Sequence, residues 1–145
     1  MLYRPLNNDD FVLLWHWLDD PETRRFYLPL NYNLTPYAVL KMVIEDGLHL
    51  VTDTTGHPIG LIKRVEHEDH VTISLLVDPI RRGEGIAKEM LKELSENWLK
   101  IVAEVRAFVR VDNAAMIKVC EHCGFVNTGE APGHEVPTYR FIKTK

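Results

Sequence analysis

A strand, a turn with two glycines and a helix are predicted to follow one another directly in residues 71–98. The strand is indicated by the apolar run that ends at Val77, and the helix by apolar residues that recur at helical spacing after Gly85. The turn between them also carries two adjacent arginines, Arg81 and Arg82. The fold must therefore combine sheet and helix, with a helix N-terminus directly after the end of a strand.

This turn has the features of a phosphate-binding loop. Gly83 and Gly85 let the backbone approach a ligand without obstruction by side chains. The first amides of the following helix have no partner within that helix, and the helix dipole adds partial positive charge at the same place. The sequence therefore predicts an anion site here. The alternative, an ordinary connection in which the glycines only relieve crowding, stays open.

The turn belongs to a longer pattern, VDPIRRGEGIA, at residues 77–87. This pattern resembles the acyl-CoA-binding signature of the Gcn5-related N-acetyltransferases, the GNAT family. In that signature an Arg or Gln, a Gly, and a Gly or Ala surround the pyrophosphate of coenzyme A. Arg82, Gly85 and Ala87 occupy these three positions here.

Two further segments resemble the same family. Residues 113–125 begin with Asn113 and end in Gly124-Phe125, as does the family's later Asn-containing helix. Residues 17–22, which contain Trp17 and the run Asp20-Pro21-Glu22, resemble a region of one particular subgroup. That subgroup contains ribosomal-protein N-terminal acetyltransferases and aminoglycoside N-acetyltransferases. The resemblance therefore extends over nearly the whole chain.

The predicted elements give an α/β fold with a central mixed, mostly antiparallel sheet and helices on both faces, in the order βααβββαβαββ, which matches the family's layout. Strands are predicted at 2–6, 48–52, 59–65, 71–77, 102–109, at Phe125 and at 138–143, and helices at about 10–18, 36–46, 85–99 and 113–123. The aromatic segment 22–34 is predicted to be irregular and to form a lid or substrate wall. Residues 1–145 are expected to form one N-acetyltransferase domain.

The composition excludes several other classes of protein. A chain of 145 residues with 46% hydrophobic and 26% charged residues has the size and polarity of one soluble domain. It contains no apolar run near the roughly 20 residues that cross a bilayer and no recognisable secretory signal, so no membrane association and a cytoplasmic location are expected. A net charge of −4 does not favour nucleic acid as a partner, and two cysteines do not indicate a disulfide framework.

The family resemblance implies acetyl-CoA as co-substrate. It implies that backbone amides of the turn contact the pyrophosphate, with charge added by the Arg82 side chain, and that the strand end at 75–77 splays from its neighbour to pair with pantetheine. A main-chain amide there would polarise the thioester carbonyl. Asn113 would touch the cofactor besides capping its helix. The implied cofactor-binding residues are Leu75, Leu76, Val77, Arg82, Gly83, Glu84, Gly85, Ile86, Ala87 and Asn113.

Acetyl transfer to an amine requires a base for the attacking amine and an acid for the departing thiolate. The base candidates lie on or beside the predicted strands that line the expected cleft, and Glu66 and His70 rank first among them. The full set is Glu66, His67, Glu68, Asp69, His70 and Ser74. The alternative for each is a solvated turn residue. Cys120 stands where many family members have a tyrosine acid, and its alternative is a buried packing residue. The pairs His67-x-x-His70 and Cys120-x-x-Cys123 each offer two ligands, fewer than the four of a structural zinc site, so no metal is expected.

The acceptor is expected to be a primary amine, either a small molecule or a protein N-terminus. Asp19, Asp20 and Glu22 beside aromatic residues would form an acidic entrance for a cationic amine; a capped, solvated helix end is the alternative. Two other functions stay open, namely a non-catalytic acyl-CoA-binding module and, with less support, a nucleotide-phosphate-binding protein. An exposed strand edge near the C-terminus is expected to permit a homodimer.

Overall fold

The computed structural model describes residues 1–45 and 47–145, which divide into two compact units. Unit 1 comprises residues 1–63 and 75–84, and unit 2 comprises residues 64–74 and 85–145. The strands are β1 (Leu2–Pro5), β2 (Leu48–Thr52), β3 (Pro58–Glu66), β4 (His70–Val77), β5 (Glu104–Arg110), β6 (Val126–Glu130) and β7 (Thr138–Thr144). The helices are α1 (Phe11–Leu18), α2 (Pro21–Phe26), α3 (Pro36–Glu45), α4 (Ile86–Trp98) and α5 (Ala114–His122). None of the helices in the described ranges has the length and hydrophobicity that a membrane crossing requires.

The strands form one sheet in the order β1-β2-β3-β4-β5-β7-β6. β1 with β2, β2 with β3, β5 with β7 and β6 with β7 are antiparallel, whereas β4 and β5 are parallel. The parallel pair requires a crossover, and α4 provides it. The predicted fold class, a mixed and mostly antiparallel sheet with helices, is confirmed.

The segment before α3 differs from the prediction, because residues 21–26 form a helix that the sequence reading missed. Asp20 has an extended backbone and accepts a hydrogen bond from the Thr23 amide, while Pro21 occupies the first helical position. The sequence reading took Asp20-Pro21 only as the end of the preceding helix. The element order is therefore β, three helices, three strands, and then α, β, α, β, β. The helix predicted at 36–46 corresponds to α3, and its predicted end at Asp46 lies outside the described residues.

The core of unit 1 lies between α1, α3 and one face of the sheet. On α1, the buried residues Leu14, Trp17 and Leu18 follow the i, i+3, i+4 spacing of one helix face. They share one cluster with sheet residues that include Leu50 and Leu61. Fully burying a leucine contributes about 1.5 to 3 kcal/mol, so the burial of this cluster stabilises unit 1.

Alternation along β4 and β5 gives unit 2 one buried and one more polar sheet face. Val71 and Val105 are fully buried partners in the ladder. Their neighbours Thr72 and Arg106 point to the opposite face, where exposure is greater. Ser74, two residues after Thr72 on that same face, is exposed. Unit 2 therefore presents polar side chains beside the place where the parallel ladder ends.

A buried carboxylate fastens the chain between β1 and α1. Asp10 accepts two hydrogen bonds from Arg4, both at 2.8 Å, and one from the Asn7 amide at 2.9 Å. Asn7 completes a capping box by accepting from the amides at the start of this turn. The hydrogen bonds from Arg4 lower the pKa of Asp10 although burial opposes the shift.

We predict that Asp10→Asn lowers the free energy of unfolding at pH 7 by about 1 to 2 kcal/mol, since the cap and the charged pair are both weakened. A carboxyl whose pKa is lowered by folding adds stability above its unfolded pKa of about 3.9, and this contribution is lost as the pH falls through the folded pKa. The deficit of the variant should therefore shrink below about pH 4. Urea unfolding at pH 7 and pH 3 measures both effects, with the exposed Asp9→Asn as the control. An equal deficit at both pH values would contradict this account.

Candidate functional site

The turn between β4 and α4 is held by local hydrogen bonds and by two glycines. Asp78 accepts from the Ile80 amide at 3.0 Å, and the Arg81 amide donates to the Asp78 carbonyl at 2.9 Å. Gly83 and Gly85 have φ angles of 85° and 79°, in the left-handed region that favours glycine. A Cβ built at either position has no other atom within 4 Å. The glycines are therefore required by the backbone, and they leave open space beside it.

The N-terminus of α4 follows this open surface directly. Gly85 is the N-cap residue, and its carbonyl accepts from the Glu89 amide at 3.1 Å. The amides of Ile86, Ala87 and Lys88 precede that first bond and belong to the group that a helix leaves unpaired. The dipole of this 13-residue helix adds partial positive charge at the same end. The geometry suits a bound phosphate group.

The side chain of Arg82 lies against the start of α2. Its Nη2 contacts Asp20 Oδ2 at 2.8 Å, and its Nε contacts Glu22 Oε2 at 2.8 Å. Asp19 is paired with Arg24. The carboxylates of the predicted acidic entrance are therefore paired with arginines. The Arg82 side chain, which was expected to add positive charge to the phosphate site, contacts two of these carboxylates instead.

The parallel ladder between β4 and β5 is short. It pairs His70 with Glu104, Val71 with Val105 and Thr72 with Arg106. Both strands continue past the last pair, and β5 is paired along its whole length with β7 on its other side. Ile73 and Ser74 thus follow the end of the ladder. The pairing of residues 75–77 with pantetheine stays a prediction.

The candidate bases lie in the hairpin between β3 and β4. His70 Nδ1 donates to Asp69 Oδ1 at 2.7 Å, and this hydrogen bond lowers the pKa of Asp69. The ring of His67 stacks on His70 at a centroid distance of 4.2 Å and an interplanar angle of 12°. Glu66 is exposed at the end of β3. Because Asp69 accepts the hydrogen bond from Nδ1, it orients the His70 ring and leaves Nε2 as the acceptor nitrogen. A histidine that acts as a general base needs such an acceptor nitrogen.

Cys120 is fully buried in α5, and burial raises the pKa of its thiol to about 12. A group with so high a pKa is a weak acid, and a solvent-excluded thiol is typical of a packing residue. The neighbouring Cys123 is also buried and donates through Sγ to the Lys88 carbonyl at 3.4 Å. Both cysteines are free. In the described part of the chain no three His, Cys, Asp or Glu side chains form a group that could hold a metal ion.

Asn113 caps α5, as the sequence indicated. Its Oδ1 accepts from the Met116 amide at 3.3 Å. The second role predicted for Asn113, contact with the cofactor, stays a prediction.

Thr23 is a site residue that the sequence did not single out, and Asp69, expected only as a candidate base, is bonded to His70 instead. Thr23 is 2% exposed and accepts a hydrogen bond from Arg82 across 59 positions of the sequence. No sequence signal connects such distant positions. Asp69 is adjacent to His70, so an Asp-His pair before a strand could have indicated its orienting role.

A family model described as acetyltransferase (GNAT) domain matches residues 1–126, which include the glycine turn and the whole of α5. A search of curated protein sequences finds no significant match.

Solved structures with the same fold cover 99% of this chain. A crystal structure of the aminoglycoside acetyltransferase AAC(6')-Ib with coenzyme A has a TM-score of 0.84 and 17% identity, over 94% of that chain. A GNAT-family acetyltransferase from Bacillus anthracis has a TM-score of 0.84 and 15% identity, over 93% of that chain. Spermidine N-acetyltransferase from Vibrio cholerae with CoA and spermine has a TM-score of 0.79 and 17% identity, over 94% of that chain. At these identities the likeness concerns the fold.

We predict that Cys120 does not react with a disulfide thiol reagent in the folded protein at pH 8. With a pKa of about 12, only about one thiol in ten thousand is ionised at that pH, and the side chain is also inaccessible. In a Cys123→Ala variant Cys120 is the remaining thiol. Its reaction is measured before and after addition of urea, from the absorbance of the chromophore that the disulfide reagent releases. Full reaction within minutes without urea would show that Cys120 is accessible.

Proposed function

Because the chain belongs to the acetyltransferase (GNAT) family, we propose that it is an acetyl-CoA-dependent N-acetyltransferase that acts on a primary amine. The observation that carries this proposal is the turn before α4, where Gly83 and Gly85 adopt left-handed backbone with open space beside them. Acetyl-CoA would supply the activated acetyl group as a thioester. The remaining steps depend on residues of this chain.

The turn is proposed to hold the pyrophosphate through backbone amides. A Cβ at Gly83 or Gly85 would project into the open space that the phosphate oxygens need. The amides of Gly83, Glu84, Gly85, Ile86 and Ala87 are the proposed donors, and the dipole of α4 favours the anion. The unpaired backbone beyond the β4–β5 ladder is proposed to bind pantetheine, and an amide there to polarise the thioester carbonyl.

His70 is the favoured general base for the attacking amine. Its Nδ1 is engaged by Asp69, so the lone pair on Nε2 can accept a proton, directly or through water. His70, Thr72 and Ser74 share one face of β4, because successive strand residues alternate. Glu66 in the same hairpin is the second candidate, since its carboxylate is exposed and free to approach an amine.

No side chain takes the role of the acid in this proposal. Cys120 occupies the position where many family members have a tyrosine, but it is fully buried and its pKa is about 12. A proton from water is then the simplest source for the departing thiolate. This same observation favours a second candidate function, a non-catalytic acyl-CoA-binding module. Such a module would bind the cofactor and acetylate no amine.

The acceptor is proposed to be a small-molecule amine, with a protein N-terminus as the alternative. Two proteins of similar fold are described as an aminoglycoside acetyltransferase and a spermidine N-acetyltransferase, and both of these acceptors carry several primary or secondary amines. Kanamycin, spermidine and a peptide with a free N-terminus are therefore the first panel. Acetylation of all three is measured with acetyl-CoA and a thiol reagent that detects released CoA.

We predict that the native chain binds acetyl-CoA with micromolar affinity and that Gly85→Glu abolishes this binding. The substitution adds backbone strain at a φ of 79°, a side chain in the open space, and a negative charge. Isothermal titration calorimetry measures the affinity, with ATP as the control ligand. Gly56→Glu is the matched control variant, because Gly56 also has positive φ and open space but lies in the turn between β2 and β3. Equal binding of ATP, or binding retained by Gly85→Glu, would contradict the assignment of the turn.

We predict that His70→Gln lowers kcat/KM by about 10² to 10⁴, the usual contribution of a general base, and that the loss grows when Glu66→Gln is added. The affinity for acetyl-CoA should stay the same, which separates chemistry from binding. His57→Gln, an exposed histidine in another turn, serves as the control. Full turnover by the double variant would remove both residues from the mechanism.

A further inference from the structure

The Arg82 side chain joins the glycine turn to one turn of α2. Its Nη2 donates to Asp20 Oδ2 and to Thr23 Oγ1, and its Nε donates to Glu22 Oε2, all at 2.8 Å. Arginine suits such a role, because its planar guanidinium holds several donors in fixed directions. One cation is thus shared by two carboxylates, which leaves little positive charge free for another anion.

The partners of Arg82 are also bonded to one another. Asp20 Oδ2 accepts from the Thr23 amide at 3.1 Å and from Thr23 Oγ1 at 3.3 Å. Burial acts to raise the pKa of Asp20, but the hydrogen bonds from Arg82 and Thr23 outweigh burial and lower it. Asp20 is therefore a carboxylate at neutral pH, and the same oxygen both caps α2 and receives Arg82.

The position of α2 determines where the aromatic segment begins. The amides of Tyr27 and Leu28 both donate to the Thr23 carbonyl, at 2.9 Å and 3.3 Å. Leu28 is 3% exposed within the unit 1 core, and Tyr27 packs against that core. A shift of Thr23 would consequently move residues 27–34, which belong to the segment 22–34 that the sequence predicts to form a lid or substrate wall.

We propose that Arg82 is a positioning residue for the acceptor side of the enzyme and not a phosphate ligand. Its side chain holds α2 and segment 27–34 in place, while the backbone of the turn binds the phosphate. This inference rests on the proposed function, since it assigns the acceptor wall of that enzyme. It gives the Arg82 side chain a role other than the one that the family resemblance implies.

Amide hydrogen exchange on the ligand-free protein tests the hold on α2. We expect exchange at the Thr23, Arg24, Tyr27 and Leu28 amides to rise at least tenfold in Arg82→Gln. Arg82→Lys should show a similar rise, because a single ammonium cannot bridge Asp20 and Glu22 while also reaching Thr23. Arg81→Gln is the matched control, since the adjacent Arg81 contacts Glu84 in the same turn. Unchanged exchange in Arg82→Gln would overturn the inference.

Calorimetry with coenzyme A tests the second half of the inference. We expect the affinity of Arg82→Gln and of Glu22→Gln to stay within threefold of the native value. With any amine that the native enzyme acetylates, the acceptor KM of Arg82→Gln should rise at least tenfold, with a smaller change in kcat. A tenfold loss of coenzyme A affinity in Arg82→Gln that Arg82→Lys restores would assign the side chain to the phosphate and overturn the inference.

The two proposals fail in different ways. If the native protein binds no coenzyme A, the proposed function fails, and the inference about the acceptor side fails with it, whatever the exchange data show for α2. If the native protein binds coenzyme A but Arg82→Gln leaves exchange in α2 unchanged, the proposed function stands and the positioning role is wrong.

Discussion

The candidate site depends on the backbone conformation of two residues, Gly83 and Gly85, between β4 and α4. Their φ angles are 85° and 79°. Glycine adopts such angles without strain, whereas any L-amino acid would be strained there by about 1 kcal/mol or more. With this conformation, the eight residues 78–85 lead the chain from β4 into α4. The helix then begins with its unpaired amides beside an open surface, and an anion is the natural partner for that arrangement.

The charges around this turn are arranged in local pairs. Arg81 contacts Glu84, and Arg82 contacts Asp20 and Glu22. Both arginines of the turn are therefore already engaged with carboxylates. In our proposal the attraction for a phosphate therefore comes chiefly from aligned backbone dipoles, which cost no side-chain entropy and change little with pH. Arg82, at the family's signature position, is then available for another role, and we propose that its side chain holds α2 in place.

Much of the fold could be predicted because its strongest signals are local. The apolar run before Val77, the glycines and the helical spacing after Gly85 identify the turn within a short stretch of sequence, and family resemblance added the sheet. The helix α2 was missed because Asp20-Pro21 both ends one helix and starts the next. The end is indicated by the proline itself, whereas the start depends on the hydrogen bond from the Thr23 amide to Asp20, which the structure shows. The partners of Arg82 could not be predicted, because they lie about 60 positions away in the sequence. Asp20 and Glu22 would look the same in the sequence if they were ordinary surface charges. The burial of Cys120 agrees with the alternative stated for it, a packing residue, because free cysteine is among the most buried residue types.

The central claim is that the backbone of the glycine turn binds the phosphates of coenzyme A. A titration of the ¹⁵N-labelled protein with acetyl-CoA, followed by amide chemical shifts, tests it most directly. We expect the largest changes at Gly83, Gly85, Ile86 and Ala87, with the Arg82 side-chain Nε–H resonance nearly unmoved. Large shifts confined to other parts of the chain, or no shifts at saturating acetyl-CoA, would contradict the account.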